Sequence, residues 1–356
     1  MDNNKETKSS IKDIVKFLTK GIVFCVILAV IMYIISPIFS PKWYNNMHGG
    51  ATRRVKGIYT EPKDTIDIVG IGSSDLYASG LSTMKLWNDM GTTTYHIGIS
   101  KQTTWTAYYM LKDFYKRQSP KLAIINMDFC FETGDGYKKY IREGTDNMPM
   151  SINKLEMIND PVFNNSLKDK ISFVFPVIRF HSRWSELSSE DFRYMWKTPS
   201  VTTNGYLMQK GVRPVKTIPK AAPLANYTFS DRNMEYLDKI YSLCKDNGIN
   251  LVLMKAPSVY PHWYDEWDKQ VSDYAYEHGI LYLNTINEAG NIGIDYTTDT
   301  FDYGQHLNVE GAEKLSLYLG EQLVKNFRLT DHRQDESYKN AWQSIVNKYY
   351  EEKQGD

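Results

Sequence analysis

The stretch Ile66-Asp-Ile-Val-Gly-Ile-Gly-Ser-Ser-Asp-Leu-Tyr77 decides how this chain is read. Its first half is apolar and β-branched, as suits a strand buried on both faces of a parallel sheet. Its second half, Gly72 to Asp75, is a turn of small polar residues. In open parallel sheets, sites gather in the crevice beyond the carboxyl ends of the strands, where this turn falls.

Working outward, strand and helix patterns alternate. Thr65 to Ile71 reads as a strand, Ser82 to Met90 as a helix, Tyr95 to Ile99 as a second strand, and Thr103 to Arg117 as an amphipathic helix. Leu122 to Asp128 is a third strand. Arg232 to Asn247 is helical and meets Gly248, a usual residue at a helix end. Asn250 to Met254 gives a fourth strand, Tyr264 to His278 a helix and Ile280 to Leu283 a fifth strand. Val309 to Phe327 is a last helix with Leu315, Leu319 and Leu323 on one face. This alternation predicts an α/β fold with a doubly wound, mainly parallel five-stranded sheet of flavodoxin-like type. Gly72 to Asp75, Gly98 to Gln102, Asp128 to Glu132 and Lys255 to Pro257 all fall at carboxyl ends of strands, so the motif residues are expected on one rim.

Residues 133–230 break the rhythm. They are rich in Asn, Ser, Pro and aromatics and read as a cap inserted between the third and fourth strands. The resulting division is an N-terminal segment (1–20), a membrane anchor (21–41), a connector (42–63), a catalytic domain (64–330) and a tail (331–356) with a helix pattern around Ala341 to Tyr350. The anchor rests on composition: Gly21 to Pro41 contains no charged residue and most of Ile22 to Phe39 is apolar. A helix of about 20 such residues spans a bilayer core. A core helix would carry a polar stripe, and a cleaved signal would end in a small-x-small site. This run ends Ser36-Pro-Ile-Phe-Ser-Pro41. Lys12, Lys16 and Lys20 precede the span, which predicts a cytoplasmic N-terminus with the remainder outside; Arg53, Arg54 and Lys56 beyond it weigh the other way.

Lysine plus arginine equal aspartate plus glutamate, 42 of each, so no strong field favours nucleic acid. The 26 tyrosines and 8 tryptophans suit carbohydrate or interface contacts, and fill ordinary cores equally well. Cys25, Cys130 and Cys244 lack metal-ligand spacing, and neither a clustered carboxylate pattern nor a phosphate-binding loop is present. No metal or cofactor is expected.

Near the end stands Asp299-Thr-Phe-Asp-Tyr-Gly-Gln-His-Leu-Asn308. A serine hydroxyl becomes nucleophilic when an imidazole takes its proton and a carboxylate fixes that imidazole's tautomer. The expected nucleophile is Ser74, the base His306 and the acid Asp302, with Asp299 the alternate. The N–H groups of Ser74 and Gly98 are expected oxyanion donors, an arrangement worth about 3 to 4 kcal/mol in acyl transfer. Gln102, His181, Arg183 and Lys255 are expected substrate contacts. Blander readings cover the same residues: a serine-capped helix start at Ser73 to Asp75, a loop glycine at Gly98, and Asn308 as a helix cap. His96, His181 and His262 are the rival histidines.

Together these residues resemble the SGNH/GDSL hydrolase superfamily. They look most like its membrane-anchored bacterial branch, which includes the D-alanyl transfer protein of teichoic-acid modification and alginate-type O-acetylation proteins. The resemblance covers most of residues 65–327. Gly72-Ser-Ser74 matches the first block with Ser74 in the nucleophile position, Gly98 matches the glycine of the second, and His306-Leu-Asn308 matches the end of the last. Two features depart. Tyr303, not an Asp, stands three residues before His306, and the nearest acid, Asp302, stands four before. The third-block asparagine has no match, because Asn126 reads as mid-strand; Gln102 is a substitute. The resemblance implies transfer or hydrolysis of a short acyl ester on an envelope glycan or teichoic-acid-like polymer outside the membrane, beside a polytopic membrane O-acyltransferase. An O-acyltransferase, an esterase that removes acyl groups, and a catalytically silent glycan-binding scaffold all remain open from sequence.

Overall fold

The computed structural model describes residues 3–41, 50–130, 138–195, 203–218 and 220–355. The first residues of the expected cap (133–137) and the first part of the connector (42–49) lie outside the described residues. The chain divides into two compact units, α1 (Asn3–Phe39) with Asn165–Lys197, and Trp43–Asn164 with Thr198–Asp356.

The larger unit holds the sheet. Strands β1 (Ile68–Ile71), β2 (Thr94–His96), β3 (Leu122–Asn126), β4 (Asn250–Lys255) and β5 (Leu281–Asn284) lie in the order β2-β1-β3-β4-β5 and every pairing is parallel. This is the α/β, doubly wound sheet expected from the alternation of patterns. Successive side chains of a strand point to opposite faces, and the cores follow that rule. Val69, Ile71, Ala123, Ile125, Leu251 and Leu253 enter one apolar cluster. Ile68, Leu122, Ile124, Val252 and Met254 enter the other. Both faces are therefore covered, and the strands read as continuous apolar runs for that reason.

The helices follow from local signals. After α2 (Ala51–Gly57) and the single turn α3 (Ser74–Tyr77) comes α4 (Thr83–Met90). It starts where Ser82 accepts from the Lys85 N–H and ends at Gly91, whose φ of 67° places it in the left-handed region that glycine enters freely. Then come α5 (Thr104–Phe114), α6 (Lys138–Thr145), α7 (Ile152–Asn159), α8 (Leu167–Val174), α9 (Val177–Phe180) and α10 (Ser189–Arg193). The last five are α11 (Asp231–Asp246), α12 (Asp265–His278), α13 (Ala289–Ile292), α14 (Val309–Asn326) and α15 (Glu336–Gln354). Helices α5 and α11 pack together on one face of the sheet, and α4 and α14 on the other. The tail helix α15 joins the larger unit, with Trp342 stacked on Trp87 at 5.1 Å between ring centroids.

Three expectations need correction. Strand β2 stops at His96 rather than Ile99; the Ile97 N–H still donates to the Gly70 carbonyl of β1 at 3.0 Å, and on the outer edge the His96 N–H donates to the Asn204 carbonyl at 2.9 Å. Strand β3 ends at Asn126, and Met127–Cys130 is a 3₁₀ turn, so Asn126 is the last residue of its strand and not a middle one. Residues 133–230 do not form a single cap. Helices α6 and α7 pack on α2 and α5 in the larger unit. The aromatic-rich stretch instead joins the foot of α1: the Val177 N–H donates to Ser36 Oγ at 3.3 Å, and Arg183 Nη1 donates to the Phe39 carbonyl at 2.7 Å. From Leu207 the chain continues in the larger unit without helix or strand as far as Ile218. Leu207 donates to the Tyr77 carbonyl at 2.7 Å and Arg213 to that of Thr300 at 2.9 Å.

Helix α1 includes 29 residues, Ile11–Phe39, that are long and apolar enough to cross a membrane. At 1.5 Å per residue they extend about 43 Å. Its first part carries Lys12, Lys16 and Lys20, which share one face at a spacing of four, and the helix continues back from Ile11 to Asn3.

His96 contributes a pH-dependent term. Its ring is buried with Nε2 at 2.6 Å from the Leu81 carbonyl oxygen, and burial lowers its pKa from 6.5 to about 4. The folded chain resists the proton that the unfolded chain accepts, so stability is present above the unfolded value and lost as pH falls through the window. From pH 6.5 to about 4 the loss is expected to reach about 3 kcal/mol. Unfolding midpoints measured against pH check this; His96→Gln is expected to flatten that slope.

Candidate active site

Strand β1 delivers the backbone to Ser73, which stands at the N-cap of α3, and Ser74 is the first residue of that turn. The switch in strand order falls between β1 and β3, so this turn sits in the crevice where the windings diverge. The structure brings Ser74, His306 and Asp302 together. Ser74 Oγ lies 2.7 Å from His306 Nε2, and His306 Nδ1 lies 2.6 Å from Asp302 Oδ2. The other oxygen of Asp302 accepts the His306 backbone N–H at 2.6 Å. One carboxylate thus holds both the ring and the main chain of the histidine. With the ring proton on Nδ1 toward Asp302, Nε2 presents its lone pair to the serine hydroxyl.

The departure at Tyr303 has a backbone cause. Tyr303 and Gly304 adopt φ values of 64° and 92°, a tight left-handed turn that inserts one residue between acid and base. Tyr303 is carried outward and is 62% exposed, so Asp302 faces the ring four positions before it. The turn is braced: the Gly304 N–H donates to Thr300 Oγ1 at 2.6 Å, and the Phe301 N–H donates to the His306 carbonyl at 2.9 Å. Asn308 caps α14 by accepting from the Gly311 N–H at 3.1 Å, so the bland reading of that residue is also true. Asp299 faces elsewhere. Its Oδ2 accepts from Lys314 Nζ at 2.7 Å and from the Asp295 N–H at 2.8 Å.

Gly98 lies against the serine turn. A Cβ built on it would stand 2.0 Å from the Gly72 carbonyl oxygen, so only glycine fits. Its own carbonyl accepts from Arg54 Nε at 2.6 Å. Among the described residues no acceptor takes the N–H of Ser74 or of Gly98. Gly98→Ala is expected to lower stability by about 3 kcal/mol, measured as a shift in thermal midpoint, because the clash is with backbone that cannot swing away.

Four expected substrate contacts are engaged elsewhere. Gln102 is fully buried; its Oε1 accepts from the Ile99 N–H at 3.0 Å and its Nε2 donates to the Thr103 carbonyl at 3.3 Å. It braces the Gly98 loop. Lys255 is buried, its Nζ bonded to Asp128 Oδ1 at 2.9 Å, Ser258 Oγ at 2.8 Å and the Ala256 carbonyl at 2.8 Å. His181 and Arg183 lie in the unit built on α1. There Arg183 also pairs with Asp191 at 3.1 Å, and His181 Nδ1 is 3.0 Å from the Ile178 carbonyl oxygen. Asn126, at the end of β3, donates to Asp128 Oδ2 at 2.5 Å and accepts from the Ala256 N–H at 3.2 Å.

Two residues beside the triad escaped the sequence reading of site roles. Arg54, counted there only among the basic residues beyond the span, is buried with its guanidinium carbon 3.5 Å from the centre of the Tyr77 ring. Asp75, which follows Ser74 directly, is buried with Oδ1 3.5 Å from His306 Nε2. Only adjacency to Ser74 signalled the second; nothing local signalled the first.

A hydroxyl bonded to an imidazole that is itself held by a carboxylate can attack an acyl carbon and pass its proton on. No protein-family model matches the chain, and no curated protein does. Among solved structures, a GDSL-like lipase from Bacteroides thetaiotaomicron is similar over 79% of this chain and 100% of that chain, at 12% identity and a TM-score of 0.36. A likeness that remote adds nothing to what the sheet order and the triad distances carry.

Proposed function

We propose that this chain is a membrane-anchored serine acyl-transfer enzyme of SGNH/GDSL type, which moves a short acyl group to or from a hydroxyl of an envelope glycan or teichoic-acid-like polymer. The observation that carries this reading is the unbroken chain from Ser74 Oγ through His306 to Asp302, at 2.7 Å and 2.6 Å. Ser74 Oγ attacks the acyl carbon while Nε2 takes its proton, and the N–H groups of Ser74 and Gly98 receive the oxyanion. The histidinium then protonates the departing oxygen, leaving an acyl-Ser74 ester. An acceptor hydroxyl, deprotonated by His306, resolves it. In this reading the N-terminal segment is cytoplasmic and the catalytic unit extracytoplasmic. Lys12, Lys16 and Lys20 support that orientation. A polytopic membrane O-acyltransferase is the proposed acyl source.

Acceptor partition tests the reading. The detergent-solubilised full chain, given p-nitrophenyl acetate and a soluble oligosaccharide, is expected to release nitrophenolate and acetylate the sugar in a Ser74-dependent way. Acetate alone would assign an esterase, and absence of Ser74-dependent turnover would leave a silent glycan-binding or scaffold domain.

A further inference from the structure

Beneath the triad lies a buried group that the mechanism above does not use. Asp75, Asp128 and Lys255 come from the serine turn, the turn after β3 and the end of β4, and each is at least nine-tenths buried. Lys255 bonds directly to Asp128 at 2.9 Å. One ammonium therefore faces two carboxyl groups, and a second uncompensated anion there would be strongly disfavoured. One proton must be held between the two acids. Asp128 has the ammonium and the Asn126 amide as donors, so Asp75 is the acid that keeps the proton and hydrogen-bonds to Asp128. Among the described residues Asp75 Oδ1 has no hydrogen-bond partner, and it lies 3.5 Å from His306 Nε2.

We propose that Asp75 is a positioning residue for His306: a neutral carboxylic acid whose proton is directed to Asp128 and whose Oδ1 accepts from Nε2–H of the histidinium. This rests on the acyl-transfer reading above. At rest, 3.5 Å is too long for a hydrogen bond, and Nε2 accepts from Ser74 instead. When Ser74 Oγ forms its bond to the acyl carbon, its proton passes to Nε2. That new N–H then has Asp75 Oδ1 as a neutral acceptor until the leaving oxygen takes the proton. A neutral acceptor steadies the ring without trapping its proton, as a full negative charge would.

The titration of the pair agrees. Burial first, and then the charge of Asp128, holds the Asp75 carboxyl well above its ordinary value. Burial also raises Asp128, but Lys255 and the bonds from Asp75 and Asn126 outweigh it and leave Asp128 lowered. The charged and titratable groups facing Asp75 are Tyr77 on its own turn, His306 and Asp302 on the histidine loop, Asp128 after β3 and Lys255 on β4.

Asp75→Asn and Asp75→Leu in the detergent-solubilised full chain test this. Asn keeps a donor toward Asp128 and an oxygen toward Nε2, whereas Leu keeps only the volume. The Leu variant is expected to lose about tenfold or more in kcat/KM on p-nitrophenyl acetate. The acid limb of its pH profile is expected to move about one unit lower, because the protonated ring has lost an acceptor. The Asn variant is expected to retain about a third or more of the rate, with the limb in place. A Leu variant with an unmoved limb would reduce Asp75 to a structural role and overturn the proposal. So would an Asn variant whose limb moves about one unit lower than that of the wild type, since wild-type Asp75 would then be charged; this outcome decides even if Leu does not fold. The NMR shift of the His306 ring followed against pH in a Ser74→Ala background reads the same displacement without turnover. Absence of Ser74-dependent turnover in the wild type would sink the acyl-transfer reading while leaving that curve to judge Asp75.

Discussion

His306→Gln is expected to lower Ser74-dependent ester turnover by about a thousandfold or more, with little change in fold. Among the described residues the ring is the group placed to take the serine proton: Nε2 is 2.7 Å from Oγ, whereas Asp75 Oδ1 has no hydrogen bond to it. Ser74→Ala is expected to match that loss, and the double variant to add little, because the two side chains act as a unit. Asp302→Asn is expected to cost about a hundred- to ten-thousandfold, since an amide at Oδ2 could donate to Nδ1 and hold the wrong tautomer. Initial rates of nitrophenolate release across neutral pH check all three, with thermal midpoints confirming that each variant folds.

Lys255→Met is expected to cost about 3 to 5 kcal/mol of stability, the largest effect of any single change outside the triad. The ammonium is 1% exposed and bonds to Asp128, Ser258 and the Ala256 carbonyl. Removing it leaves Asp128 either an unpaired buried anion or a second buried acid to be protonated. The pH dependence fixes the sign. Because Asp128 is lowered in the folded chain, its contribution is present above its unfolded value and lost as pH falls. Because Asp75 is raised, its contribution is present in acid and lost as pH rises toward its folded value. Lys255→Met is therefore expected to be most damaging at neutral and alkaline pH and mildest in acid. Unfolding midpoints across that range measure the effect. Lys255→Met combined with Asp128→Leu is expected to recover part of the loss, because no unpaired charge then remains.

Much of this was legible in the sequence, and the reasons are local. The strands are buried on both faces, so they appear as apolar runs, and the order of alternating patterns already implies a parallel sheet. Ser74 and His306 are legible because each stands at a strand end or helix start, where polar residues in short turns are conspicuous. Asp302 is preferred over Asp299 in the sequence only as the nearer acid; the physical reason for the choice is not legible there. It depends on the left-handed turn at Tyr303 and Gly304 and on Lys314, which reaches Asp299 from the next helix. Gln102 and Lys255 looked like substrate contacts because both are polar and lie at the rim. Only the fold shows them turned inward, one bracing a loop and the other balancing two buried acids. The aromatic stretch around Phe173 to Trp184 reads as part of a cap because an amphipathic segment does not state what it packs on; in the structure Arg183 bonds to Phe39 at the foot of α1.

The most direct measurement is the site of covalent capture by a fluorophosphonate, which reacts only with a serine whose proton is drawn away by a base. Intact mass and peptide mapping of the detergent-solubilised chain are expected to show one adduct, on Ser74, absent from His306→Gln. An adduct on another residue, or equal labelling of wild type and His306→Gln, would contradict the account.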